Sequence, residues 1–264
     1  MIALADAYDA FLFDLDGVLY RGTEAVPGAP EAIARLRAAS KRVAFVTNNS
    51  GRTPQAVAAH LTGLGIPAAA QQVETSALVT AEHLASRGIS EAFVVGEQGI
   101  LQALQDAGIA IADADADRTE VVVVGWDRQA NYEKLRRASL LVERGAALVG
   151  TNADASYPAE DGNWPGAGAL LAAIETTTGV RAEVFGKPEA PIMLAALERA
   201  GGGTPLVIGD RLETDIAAAM ALGWDSLLVL TGISGPDDVA ASPVAPTFMA
   251  QDLSELFAPR SRQR

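Results

Sequence analysis

The stretch FLFDLDGVLY occupies residues 11–20. An apolar run ends on two acids, Asp14 and Asp16, with Leu15 between them and Gly17 directly after. Such a run predicts a buried strand, with Asp14 at its tip and Asp16 where the chain is leaving it. Carboxylates held that close repel each other, so a cation must hold them or they must have chemical work. A carboxylate at a strand tip can attack phosphorus and split a hard displacement into two steps. A second acid two residues on could protonate the leaving oxygen and later activate water. Gly17 lets the backbone turn closely past a bound group. By itself, D-x-D-G serves a turn equally well.

Outward from this stretch, strand-like and helix-like segments alternate through most of the chain. After AFLFDL comes GAPEAIARLRAAS with helical spacing of Ile33 and Leu36, then KRVAFVTNNS as a second strand ending in polar residues. Helices around ILQALQDAG, NYEKLRRASLLVERG and AGALLAAIETTTG separate the strands EAFVVGE, TEVVVVGWD, ALVGTN and AEVFGK. The last part reads as a helix from PEAPIMLAALERA, the strand PLVIGD, a helix from ETDIAAAMALG and the strand SLLVLTG. Alternation of this kind predicts an α/β fold of parallel sheets with helices on both faces. Ligands in such folds bind beyond the carboxyl ends of the strands. Four strand ends finish in polar or charged residues: Asp14 with Asp16, Thr47 with Asn48, Lys187, and Asp210. If those strands are neighbours, their tips meet in one crevice. Residues 78–183 have their own alternation and contain none of the four tips, so they read as a second α/β domain inserted into a core of 1–77 and 184–264.

Each remaining tip is ambiguous alone. TNNS, residues 47–50, offers hydroxyl, amide and backbone N–H groups suited to phosphoryl oxygens, with Asn49 among them, or makes an ordinary turn. Lys187 in VFGKPEAP is a point charge that could bridge a nucleophile and an anion, or belong to a surface turn. In PLVIGDRLETDI, Asp210 ends a strand and Asp215 opens the next helix. Two carboxylates there suit a hard divalent cation with oxygen ligands, although an acid at a helix start is also favoured by the dipole.

Bulk properties exclude some classes. A net charge of −13 and a sequence pI near 4.6 argue against a general nucleic-acid or anionic-membrane surface. Arg260, Arg262 and Arg264 form the one basic cluster and read as a solvated end. No cysteine is present and no apolar run approaches a membrane span, so a soluble, unprocessed cytoplasmic protein is expected.

Taken in order, DLDGV, TNNS, GKPEAP and GDRLETD resemble the four motifs of the haloacid dehalogenase-like hydrolase superfamily. DGVLYRGTEAVPGA, VVVGWDR, GTNADASYP and PGAGALLAAIE extend the resemblance to its NagD-like branch, which includes p-nitrophenylphosphatases and phosphoglycolate phosphatases. The resemblance implies a Rossmann-like doubly wound core with an inserted α/β cap. It implies Asp14 as nucleophile and Asp16 as general acid/base, with Thr47 and Asn48 orienting the phosphoryl group and Lys187 stabilising it. Mg²⁺ would be held by Asp14, the main-chain carbonyl of Asp16, and Asp210, with Asp215 acting through water or by positioning Lys187. Substrate contacts are expected from Asn49 and, in the cap, from Trp126, Asp127, Arg128 and Asn152, with Asp154 and Tyr157 as further candidates; Arg128 would meet an acidic substrate or form a salt bridge. The implied activity is hydrolysis of small phosphomonoesters such as glycerol 3-phosphate, phosphoglycolate, sugar phosphates or p-nitrophenyl phosphate. A phosphotransferase or mutase on the same scaffold and a non-catalytic receiver-type or phosphate-binding module are the alternatives. Relatives often pair through the cap, so a homodimer is an expectation of the resemblance. His60 and His83 lie in helical patterns and are expected to pack or face solvent.

Overall fold

The computed structural model describes residues 2–159 and 161–260, so Arg262 and Arg264 lie outside the described residues. The chain divides into two compact units. One holds the chain up to Thr47, Gln55–Glu74 and everything from Lys187 onward; the other holds Asn48–Pro54 and Thr75–Gly186. The second unit therefore begins three residues before the expected 78 and ends three after the expected 183. It also takes the loop 48–54, which the sequence reading placed in the core.

The first unit is built on a six-stranded sheet ordered Phe248–Ala250, Asp225–Val229, Pro205–Gly209, Ala10–Phe13, Arg42–Thr47, Val73–Thr75. Strands from Phe248–Ala250 through Arg42–Thr47 pair in parallel. In chain order this is 6-5-4-1-2-3, the doubly wound arrangement whose order reverses between Ala10–Phe13 and Pro205–Gly209. All four residues of Ala10–Phe13 are fully buried, which explains why the strand reads as a continuous apolar run instead of an alternating one. Phe11, Phe13 and Phe45 pack with Leu15, Leu19, Ile33 and Leu36 in one core. Truncating a buried phenylalanine such as Phe13 to alanine would cost about 3–5 kcal/mol. Register places Phe13 opposite both Ile208 and Phe45, so the residues after these strands emerge at one edge of the sheet.

The second unit has a five-stranded parallel sheet ordered Glu183–Val184, Ala147–Gly150, Val121–Val124, Glu91–Val95, Ala110–Ile111. Val122, Val124, Leu141, Leu148 and Ile174 form its core. Two elements here depart from the sequence reading. A hairpin of Ser156–Ala159 and Gly162–Pro165 follows GTN, where the sequence pattern marked no element. The strand before Lys187, expected in the core, is Glu183–Val184 and pairs with Ala147–Gly150 in this sheet. An apolar pair such as Val184–Phe185 carries no mark of which sheet it will join; long-range partners decide.

The helix expected from ETDIAAAMALG opens with a wide π-type turn over Leu212–Ile216 and becomes α-helical only at Ala217–Ala221. The Arg211 carbonyl accepts from both Asp215 N–H (3.2 Å) and Ile216 N–H (3.3 Å). Turns of this type recur at functional sites, and this one carries Asp215. No helix among the described residues is long and apolar enough to cross a membrane.

Candidate active site

Asp14 stands one residue beyond the strand Ala10–Phe13, and its N–H donates to the Ile208 carbonyl of the neighbouring strand at 2.8 Å. Asp210 stands one residue beyond Pro205–Gly209. The two carboxylates thus flank the point where strand order reverses. Lys187 reaches them by its side chain and not from a strand of the core sheet: its Nζ donates to Asp14 Oδ1 at 2.5 Å, to Asp215 Oδ1 at 2.7 Å and to the Val46 carbonyl at 3.5 Å. Oxygens of Asp14, Asp210 and Asp215 lie within 4.8 Å of one another. Lys187 and Asp215 are buried, and the Asp14 side chain is 12% exposed.

Three carboxylates facing one ammonium leave negative charge in excess at a place with little water. Burial raises the Asp14 carboxyl well above its ordinary range, and the Asp215 and Asp210 charges push the same way against Lys187. Burial, then Asp215, pushes Asp210 up to about 6, while the Ile233 N–H and Lys187 pull it down. Burial works against the Lys187 ammonium, but Asp14 and Asp215 together outweigh it and raise the group. An all-oxygen donor set carrying surplus negative charge fits a hard divalent cation such as Mg²⁺. Asp215 is the acid least suited to ligate it. Its Oδ1 holds Lys187, and its Oδ2 accepts from Arg211 N–H (3.3 Å) and the Thr214 hydroxyl (3.4 Å).

Asp16 lies on the turn beyond Asp14, and its Oδ2 accepts from the Tyr20 hydroxyl at 3.3 Å. Tyr20 begins a short hairpin, Tyr20–Arg21 with Glu24–Ala25, and accepts the Gly17 N–H on its carbonyl at 2.8 Å. His60 sets its ring edge-on to Tyr20 at 4.7 Å, a packing role as expected. Thr47 is buried at the end of Arg42–Thr47.

In the second unit the candidates separate. The Asn48 carbonyl accepts from Ser76 Oγ (2.6 Å) and Asn152 Nδ2 (2.7 Å), while Asn48 Nδ2 donates to the Asp154 carboxylate at 3.1 and 3.3 Å. Asn152 is buried, and its Oδ1 accepts from Asp154 N–H at 3.1 Å. Its amide thus helps to hold the 48–54 loop. Asp127 is likewise buried, paired with Lys134 at 2.6 Å and accepting Gln129 N–H. Arg128 forms a two-pronged pair with Glu97 (2.7 and 2.8 Å), so its charge is answered within the unit. Asn49 Oδ1 accepts Gly51 N–H at 2.9 Å, closing its own turn. Trp126 differs: half-buried, its ring stacks on Tyr157 at 4.5 Å between centroids. His83 packs against Phe185 at 4.7 Å.

The sequence reading missed Glu97 as the partner of Arg128 and Tyr20 as the donor to Asp16. A carboxylate thirty-one residues from its arginine leaves no local pattern. Tyr20 was within reach, four residues after an acid at the root of a turn.

Comparison with known proteins shows the family. The family described as haloacid dehalogenase-like hydrolase matches residues 11–110, and one described as HAD-hydrolase-like matches residues 184–256. An acid sugar phosphatase of Staphylococcus aureus is 38% identical over 254 residues, covering 95% of this chain and 97% of that protein. The crystal structure of a glycerol phosphate phosphatase from Mycobacterium tuberculosis in complex with magnesium superposes with a TM-score of 0.92 at 36% identity, covering 98% of this chain and 79% of that one. A 4-nitrophenylphosphatase from Thermotoga maritima gives 0.90 at 31% identity, covering 97% and 98%. Likeness of this extent, over chains that are phosphatases by name, carries the same answer as the acids at the strand tips: this chain belongs to the haloacid dehalogenase-like hydrolases, in their NagD-like branch, and is a phosphomonoesterase.

Proposed function

We propose that the first unit is the catalytic core and that Asp14 is its nucleophile, attacking the phosphorus of a small phosphomonoester in line with the leaving oxygen. The P–O bond to the alcohol breaks as the bond to Asp14 forms, and Asp16 gives its proton to the departing oxygen. Asp16 then takes a proton from water, which attacks the aspartyl-phosphate and frees Asp14 and inorganic phosphate. Thr47 and Asn48 orient the phosphoryl oxygens, and Lys187, held by Asp215, balances their charge. Asp14, the Asp16 carbonyl and Asp210 would hold Mg²⁺, which would supply positive charge against the phosphoryl oxygens. The observation that carries this reading is the Lys187–Asp14 pair at 2.5 Å, set among two further carboxylates at the reversal of strand order.

The second unit is read as the cap that selects the substrate. With Asp127, Arg128 and Asn152 engaged within the unit, the stacked Trp126–Tyr157 pair is the surface best suited to the non-phosphate portion. Asn49 is proposed as a further substrate contact. Sugar phosphates, glycerol phosphate and 4-nitrophenyl phosphate are the proposed substrates, supported by the names of the relatives. A cytoplasmic location accords with the absence of cysteine, and a homodimer rests on the resemblance alone.

The test is to quench turnover of 4-nitrophenyl phosphate in acid and map phosphorylated peptides. A phosphoryl group on the peptide containing Asp14, absent in Asp14→Asn, is the expected result. Normal hydrolysis by Asp14→Asn would overturn the assignment.

A further inference from the structure

We propose that Thr231 is a positioning residue for the divalent cation, the key contact of a segment, Thr231–Ser234, that clasps both arms of the metal site. The proposal rests on the metal reading above and extends it to residues outside the four motifs.

LTGIS, residues 230–234, follows the strand Asp225–Val229. On one side the segment fixes Asp210 twice. Ile233 N–H donates to Asp210 Oδ2 at 2.8 Å, and Ser234 N–H donates to the Asp210 carbonyl at 2.9 Å. Ser234 is itself buried, and its Oγ accepts Leu212 N–H at 3.1 Å, securing the backbone just beyond Asp210. On the other side the Thr231 hydroxyl donates to the Gly17 carbonyl at 2.7 Å, and the Arg21 guanidinium donates to the Thr231 carbonyl.

Two glycines make this clasp close. Gly17 has φ +82°, and a Cβ there would stand 2.5 Å from Asp210 Oδ2 and 3.1 Å from Gly232 Cα. A Cβ on Gly232 would overlap the Asp210 carboxylate. The Asp16–Gly17 turn, the Asp210 carboxylate and the 231–234 backbone are therefore pressed together with no room for a side chain between them. A main-chain carbonyl such as that of Asp16 ligates a cation only when its peptide is aimed, and Mg²⁺ tolerates little deviation from octahedral geometry. The Thr231 hydroxyl is the side-chain contact that ties the Asp16–Gly17 turn to the segment holding Asp210. Groups that orient ligands in this way change metal affinity without touching the metal.

The experiment is a Mg²⁺ titration of the full chain followed by thermal melting, which reads metal affinity from the rise in melting temperature and metal-free stability from its starting point. Thr231→Val is expected to weaken Mg²⁺ binding about tenfold while leaving the metal-free melting temperature nearly unchanged. Thr231→Ser, which keeps the hydroxyl, is expected to restore the parent affinity. Parent-like affinity in Thr231→Val, equal weakening in the Val and Ser variants, or a matching fall in metal-free melting temperature would each overturn the proposal. Should Thr231→Val fail to fold, Ser234→Ala is expected to weaken Mg²⁺ in the same sense, and parent-like binding there would overturn it. Absence of Mg²⁺ binding by the parent would bring down the metal reading as well; parent binding with unaffected variants would bring down this assignment alone.

Discussion

The two units use charge in opposite ways. In the second, buried Asp127 is paired with Lys134, and half-buried Glu97 with the exposed Arg128. In the first, Asp14, Asp210 and Asp215 share one ammonium, and burial, with the neighbouring carboxylates adding to it, raises the carboxyls of Asp14 and Asp210. A matched pair is satisfied and needs nothing more from outside. An unmatched cluster out of water is held only because something cationic, or a reaction, answers it. That contrast sets the two units apart better than residue type does, since aspartates stand beyond strand ends in both.

The largest break in the contrast is Asp14→Asn, expected to lower kcat by on the order of 10⁴–10⁶ with the fold retained, as steady-state kinetics and circular dichroism would show. Asp16→Asn should cost about 10²–10⁴ in kcat, most with a poor leaving group and least with 4-nitrophenolate, which leaves without a proton. A flat loss across leaving groups would remove the acid role.

The surplus charge also predicts the pH dependence of the metal-free protein. Asp210 sits at about 6 when folded, against an ordinary 3.8. Its contribution to stability is complete below the ordinary value and is lost as pH rises through about 6. Metal-free protein should thus melt higher at about pH 5 than at about pH 8, and the stabilisation by Mg²⁺ should shrink over the same fall. Melting temperatures with EDTA and with Mg²⁺ check both. A metal-free stability that rises with pH across that window would contradict the charge surplus.

The smallest effect is expected from Arg128→Ala. Its side chain is 58% exposed and its charge is already answered by Glu97, so stability should fall by at most about 1 kcal/mol. KM should change equally for an acidic phosphate and for 4-nitrophenyl phosphate. A selective rise for the acidic substrate would return Arg128 to the substrate.

Much of this protein was legible in one dimension. Apolar runs of strand length, helices spaced at 3.6 residues and acids at run ends are local signals, and local physics writes them directly into the chain. Asp14, Asp16 and Asp210 could be singled out because a charge ending an apolar run is conspicuous without any partner in view. Partner choice was not legible. Val184 joined the second sheet, the loop 48–54 went with the second unit, and Asn152 spent its amide on the Asn48 carbonyl. Such choices depend on groups about a hundred residues away and on which of several near-equal pairings buries the most surface. The amino-acid order by itself carried the alternating α/β class and marked the acids at the strand ends. Tertiary structure alone decided which charges would be neutralised, which would be left to act, and that Thr231–Ser234 would close around Asp210, because those outcomes are set by distances between segments that sequence separation does not encode.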